Sequence, residues 1–241
     1  MKKLIKWTFI GLLSAALTLC VTVGGYFCLK GYEMYKNAVE KMSVAQIGEN
    51  IRSQEDFTAY SELPEIYVDA VIAAEDKRFE RHNGIDILAI LRAAWVDVTT
   101  LSFAEGGSTI TQQLAKNELF TQEKRVERKI AEVFAAFALE GAYSKEEIFE
   151  LYINSIYFGN GFYGIRSASE GYFGKEPSEL SDAEAVMLAG LPNAPSVYTP
   201  SENPDLALRR SSVVLRRMVE CGKLTQAEAD RIRLEAETMF E

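Results

Sequence analysis

From Trp7 to Leu29 the chain reads WTFIGLLSAALTLCVTVGGYFCL, 23 residues without a charge. At a rise of about 1.5 Å per residue, a helix of that length crosses a hydrocarbon core of roughly 30 Å. A cleaved signal peptide is the rival reading. Its apolar region is typically about 7–15 residues and ends at a small-residue A-x-A-like site. This run is longer and no such site follows it, so an uncleaved spanning helix is expected. Lys2, Lys3 and Lys6 precede the run, whereas Lys30, Glu33, Lys36, Glu40 and Lys41 behind it are of mixed sign. The positive-inside bias then places the N-terminus in the cytoplasm and everything after the span outside.

The exported part differs in charge from the whole. Of 26 Lys and Arg residues, four fall in the first 30 positions, where there is no acid. The remainder sets 22 bases against 35 acids, a balance of −13, which argues against a nucleic-acid partner. With 48% apolar residues the chain can bury the core of one domain, and disorder as its main state is excluded. Cys20 and Cys28 lie in the apolar run, so Cys221 is alone outside and no intramolecular disulfide can form there. Next to Gly222 at an apparent helix end, Cys221 reads as a small buried side chain rather than a nucleophile.

No internal repeat is visible, and the six prolines leave residues 65–176 free of any, which suits helices. Between Glu123 and Glu140 the apolar residues Val126, Ile130, Val133, Phe134 and Phe137 recur every three or four positions, and Gly141 follows as a stop. Ser144 with Glu147, Ser181 with Glu184 and Thr225 with Glu228 have capping-box spacing, each opening a helix. Asn203-Pro204 marks a fourth start, for a helix ending near Gly222. The expected organisation is a tip and anchor over 1–30, a polar connector or membrane-proximal lobe over 31–59, and an all-α domain over 60–241.

Three stretches carry chemistry. In EDKRFERHNG (75–84), Glu75 ends an apolar helical run. A carboxylate there can sit at a cleft edge as a general acid or base, although one Glu alone reads more readily as a solvated helix end. His82 is the only histidine, which removes any multi-His metal site. In GGSTITQQLAKN (106–117), Ser108, Gln112 and Lys116 are spaced four apart, a polar helix face suited to sugars and phosphates. The spacing is not that of a phosphate-binding P-loop. In KRVERKIAE (124–132), Lys124, Arg125, Arg128 and Lys129 put four cations within six residues of an otherwise acidic chain. They mark a site for a small polyanion, unless Arg128 and Glu132 merely pair on the surface. Glu75, Glu132 and these cations together fit sugar transfer from a phosphate-linked donor.

These stretches, with RKIAEVFAAFALE (128–140), KEEIFELYINSIYFGNGFYGIRSASEGYFGK (145–175) and LSDAEAVMLAGLPNAPSVYTP (180–200), run collinearly over about residues 60–215. The sequence closely resembles glycosyltransferase family 51, the peptidoglycan glycosyltransferases that polymerise lipid II. With no residue after Glu241 to form a penicillin-binding domain, the monofunctional form is the expected one.

The resemblance implies a lysozyme-like, bilobal helical fold with a cleft beside the membrane. It implies that Glu75 is the base taking the proton from the 4-hydroxyl of the acceptor lipid II. Glu132 would be the second carboxylate, assisting pyrophosphate departure directly or through a divalent cation, Mg or Mn, with no cofactor strictly required. Ser108, Thr109, Gln112, Gln113, Lys116, Asn117, Lys124, Arg125, Arg128, Lys129 and Asn154 would bind substrate, with Lys116 and Arg128 nearest the phosphates. Asp76, Phe79, His82 and Gly84 would shape the first motif. The implied partners are lipid II, the growing lipid-linked chain, the bacterial inner membrane and penicillin-binding transpeptidases. Departures from the family pattern are Lys124 where an Arg is usual, Ala131 for a common Lys, Val186 for Ala, and the acidic exported body. A lysozyme-like wall-cleaving enzyme needs no cation patch, and a non-catalytic partner of wall synthesis needs no carboxylate pair.

Overall fold

The computed structural model describes residues 2–100, 106–121, 123 and 125–240. Among them the chain is all-α apart from one small hairpin. In order the helices are α1 (Lys2–Lys41), α2 (Val44–Arg52), α3 (Glu65–Glu75), α4 (Ile87–Thr100), α5 (Ile110–Leu119), α6 (Val126–Ala142) and α7 (Lys145–Ser155). Then follow α8 (Ile165–Phe173), α9 (Asp182–Gly190), α10 (Pro195–Tyr198), α11 (Pro204–Glu220) and α12 (Gln226–Thr238). Strands β1 (Tyr157–Gly159) and β2 (Phe162–Tyr163) pair antiparallel between α7 and α8. Their turn uses Asn160 at φ 50° and Gly161 at φ 83°, the left-handed values such a tight connection demands. The hairpin has no counterpart in the sequence reading, because two strands this short carry no alternation to detect.

α1 is 40 residues, about 60 Å long, so it extends well beyond a bilayer core. Among the described residues it is the one helix long and apolar enough to cross a membrane. Residues 31–41, read from the sequence as connector, continue α1 and lie along α6 instead. Gly31 makes that approach feasible, since a Cβ there would fall 2.5 Å from Ile130 Cγ2. Tyr32 and Tyr35 pack on Phe134 with ring centroids 5.2 and 6.0 Å away. α2 opens on a Ser43–Gln46 capping box, buries Ile47 and Ile51, and takes the Tyr143 hydroxyl on Val44 O at 2.9 Å. The anchor and the domain therefore share one packed interface.

This contact changes the reading of α6. Its predicted apolar stripe serves α1 through Ile130 and Phe134, while Val126 and Phe137 are exposed. The face turned to the core is Ala131, Glu132, Ala135, Ala136 and Leu139, small enough to bring α5 close. Gly141 does not stop the helix, which runs on to Ala142.

At the centre of the fold, α9 is buried from Ala183 to Gly190, as a helix apolar all round must be. α3 and α11 pack against it, and α3 buries Tyr67, Val68, Ala70, Val71, Ala73 and Ala74. The capping boxes at Ser144, Ser181 and Thr225 open α7, α9 and α12 as their spacing predicts. α11 begins at Pro204, but Asn203 gives no side-chain cap, so proline alone sets that start. α4 leaves Ile87, Leu88, Leu91 and Trp95 exposed.

Candidate active site

Glu75 is the last residue of α3, and the chain leaves the helix at Asp76, φ −153° and ψ 73°. The apolar face of α3 ends there, so the Glu75 side chain is only 10% exposed. Its Oε2 accepts a hydrogen bond from Gln113 Nε2 at 2.8 Å, and its Oε1 lies 3.6 Å from Arg210 Nη2.

The rest of the first motif holds this corner. Asp76 is buried and accepts from Ile110 N at 3.1 Å and faces His82 Nε2 at 3.0 Å. Phe79 is buried beneath, with the Lys145 ammonium 4.5 Å from its ring centroid. Gly84 sits at φ 87° against Ala136, where a Cβ would meet the α6 backbone at 3.1 Å, and its carbonyl accepts from Thr109 Oγ1 at 2.6 Å. Asp76, Phe79, His82 and Gly84 thus join α3 to the start of α5 and the middle of α6.

The second motif divides. Thr109 and Gln112 are each 1% exposed and form the reciprocal capping box of α5. Thr109 Oγ1 and Gln112 Oε1 are engaged by the backbone in this box, and Thr109 Oγ1 also donates to Gly84 O. Ser108 precedes the helix and accepts from Lys129 Nζ at 2.7 Å. Gln113, Lys116 and Asn117 do face a cavity of about 690 Å³. Lys116 is half-buried and has no ion-pair partner within 4 Å among the described residues. Burial pushes its pKa down, Glu132 and Glu75 attract it, and Arg128 and Lys129 repel it. It therefore stands in the field of both carboxylates.

Glu132 is 1% exposed on the inner face of α6. Its Oε2 accepts from Lys129 Nζ at 2.8 Å and its Oε1 is 3.3 Å from Arg128 Nε. Arg128 also donates to Thr121 O at 3.2 Å. Arg125 pairs with Glu123 at 3.0 Å and, together with Arg128, lines a second cavity of about 610 Å³ between α1 and the α5–α6 connection. Lys124, expected beside it, lies outside the described residues. Asn154 is 2% exposed, and its amide donates to Thr58 O and Glu150 O and accepts from Thr58 N, each at 2.8 Å. It ties α7 to the segment before α3 and also lines the 690 Å³ cavity.

The sequence reading missed Arg210, which reaches Glu75 across 135 positions of chain, and Tyr157 and Tyr163, which line the 690 Å³ cavity from the hairpin. No local pattern signals either. Comparison with known proteins decides the family. The profile described as Transglycosylase matches residues 40–219. The chain belongs to the transglycosylase family. It is 47% identical to penicillin-binding protein 1A of Aquifex aeolicus over 169 residues, covering 70% of this chain. It is 45% identical to that of Neisseria gonorrhoeae over 185 residues and 43% identical to that of Vibrio cholerae over 192, covering 77% and 80% of this chain. The chain spans 23% of the length of each of these relatives.

The transglycosylase match begins at residue 40, inside α1, so α2 falls within the family domain. Among the described residues the protein's side chains alone do not assemble a divalent-cation site around Glu132. A hard cation takes about six oxygen ligands. Glu132 offers one carboxylate, and its two oxygens already face Lys129 and Arg128. Among the described residues no group of three or more His, Cys, Asp or Glu side chains could hold a metal.

Proposed function

We propose that this chain polymerises peptidoglycan, transferring a growing undecaprenyl-pyrophosphate-linked glycan to the 4-hydroxyl of lipid II. The acceptor oxygen attacks the donor's anomeric carbon, its proton passes to Glu75, and undecaprenyl pyrophosphate leaves with inversion to a β-1,4 bond. Glu75 fits the base because it is ionisable, nearly enclosed and bound by one neutral donor, which leaves lone pairs for the acceptor. Lys116, Arg128 and Lys129 hold the pyrophosphate, whose negative charge grows as the bond breaks. Glu132 keeps Arg128 and Lys129 turned inward until the donor arrives.

The observation that carries this reading is Lys116, a half-buried ammonium without an ion-pair partner among the described residues, placed in the field of both carboxylates. An unneutralised cation facing a cavity is suited to an anionic ligand. The anchor helps as well, since a cleft held at the bilayer meets lipid-linked donor and acceptor at raised effective concentration. We place the domain on the outer face of the bacterial inner membrane, where transpeptidases could cross-link its product.

Purified full chain in detergent, given lipid II, is expected to yield polymer resolved by size. Glu75→Gln, folded by circular dichroism, is expected to yield none. Wild-type rates in that variant would overturn the mechanism. Orientation has its own test: Cys221 is exposed, so a membrane-impermeant thiol reagent is expected to label it in intact spheroplasts. Labelling only after lysis would reverse the topology.

A further inference from the structure

Arg210 stands on α11 with its side chain 9% exposed. Its Nε donates to Gly190 O at 3.1 Å, and its guanidinium carbon is 5.8 Å from the centroid of the Tyr198 ring. Gly190 gives it room, since a Cβ there would fall 3.0 Å from Arg210 Cγ. Its Nη2 points at Glu75 Oε1, 3.6 Å away, and both atoms are buried without a hydrogen-bond partner. Arg217, two turns along the same helix, donates to Ala74 O. α11 therefore holds the last turn of α3 at a backbone point and faces its terminal carboxylate with a charge.

Enclosing a guanidinium is unfavourable unless an anion and hydrogen bonds face it. Here the anion is Glu75, yet the separation exceeds hydrogen-bond reach. A bidentate pair would occupy both carboxylate oxygens. At 3.6 Å the cation instead supplies charge while Oε2 is left to other partners.

We propose that Arg210 is a positioning residue for the base: it turns Glu75 Oε1 inward, leaving Oε2 to take the acceptor proton. Oε2 carries one hydrogen bond, from Gln113, and keeps a second lone pair for the hydroxyl. This rests on Glu75 being the general base, as argued above.

The other groups facing Glu75 are Gln113 and Lys116 from α5 and Tyr152 from α7, with Asp76 next in the chain and bound to His82. Arg217 reaches only the Ala74 carbonyl. Of the two cations in this set, Lys116 has its pKa pushed down by burial and is drawn to Glu132 as well. Burial acts on Arg210 in the same direction, but a guanidinium remains charged throughout the working pH range. Arg210 is thus the fixed positive charge beside the base.

The test is lipid II polymerisation by the full chain in detergent, with kcat and KM read separately. In Arg210→Met kcat is expected to fall by about 10²-fold, the scale of a misplaced catalytic group. KM for lipid II should change less than about threefold, because the guanidinium does not touch substrate. Arg210→Lys, which restores a charge, should return kcat to within about tenfold of wild type. An unchanged kcat in a folded Arg210→Met overturns the proposal, as does a Lys variant slowed as far as Met. Should Met fail to fold, Arg210→Gln, which keeps a donor for Gly190 O, is read the same way. Failure of both neutral variants to fold would assign Arg210 to stability alone and overturn the proposal too. Glu75→Gln separates the premises: activity there sinks the base itself, whereas inactivity there with an unchanged kcat in the Arg210 variants sinks only the role of Arg210.

Discussion

Glu75 and Glu132 are both nearly enclosed carboxylates, and their surroundings differ in a way that separates their roles. Glu75 ends an apolar helix, takes one hydrogen bond from a neutral amide, and sees a guanidinium across 3.6 Å. Glu132 sits in the middle of α6 with one ammonium at 2.8 Å and one guanidinium at 3.3 Å. The first arrangement leaves an anion able to accept a proton. The second neutralises its anion and fixes two cations on the cleft wall. A carboxylate in the middle of a cation patch is better suited to organising charge than to moving a proton, so the two should fail differently when changed to amides.

The largest effect is expected for Glu75→Gln. General-base catalysis contributes about 10²–10⁴-fold, so polymerisation in the purified variant should fall by at least that factor while folding is kept. A loss below tenfold would remove the contrast with Glu132. For Glu132→Gln the expectation is destabilisation as well as slowing. Removing one partner of a buried pair costs about 3–5 kcal/mol, and we expect about 3 because Lys129 is half-exposed. Denaturant unfolding checks it, and an unchanged midpoint with lost activity would make Glu132 catalytic in the same sense as Glu75.

Next in size is Lys116→Ala. A hydrogen bond to a charged group contributes roughly 1.5–3 kcal/mol, so a pyrophosphate-bearing donor analogue should bind about ten- to a hundredfold more weakly. The loss should appear in donor binding, in contrast to Arg210→Met, where it should appear in kcat. Unchanged affinity would take Lys116 out of the anion site and leave Arg128 and Lys129 to carry it.

How much of this was legible in the sequence follows from how local each interaction is. The caps at Ser144, Ser181 and Thr225 are determined three residues apart, and they stand where the spacing put them. The Thr109–Gln112 box has the same local form, but inside a chemically suggestive motif its polar side chains read as ligand-binding. The structure shows Thr109 Oγ1 and Gln112 Oε1 engaged by the backbone. The α6 stripe was visible, but not that α1 rather than the core would cover it, since a periodic pattern gives a face and not its neighbour. Arg210 was out of reach for a stronger reason. Its partner lies 135 residues away, and an Arg on an amphipathic helix looks the same whether it meets solvent or a carboxylate.

A third enclosed acid provides the control for the comparison. Asp86, beside the first motif, is bound by the Arg78 guanidinium and accepts from Ala89 N at 2.8 Å at the start of α4. The hydrogen bond with Arg78 is the main cause that lowers its pKa from 3.8 to about 2, with burial opposing and the Ala89 amide assisting. A carboxyl depressed in the folded state stabilises it fully above the unfolded value and loses that contribution as pH falls through the folded one. The window is therefore pH 4 down to about 2, and the amount is about 2 kcal/mol. Asp86→Asn should unfold more easily than wild type at pH 7 by about that amount, and the two should converge near pH 2. Polymerisation at neutral pH should remain close to wild type, because Asp86 faces Arg78 and the α4 backbone rather than the cleft. A stability gap constant from pH 7 to 2 would place the effect in packing rather than ionisation, and a large loss of activity in the folded variant would show that an enclosed, cation-paired acid can be catalytic here after all, which would also reopen the assignment of Glu132.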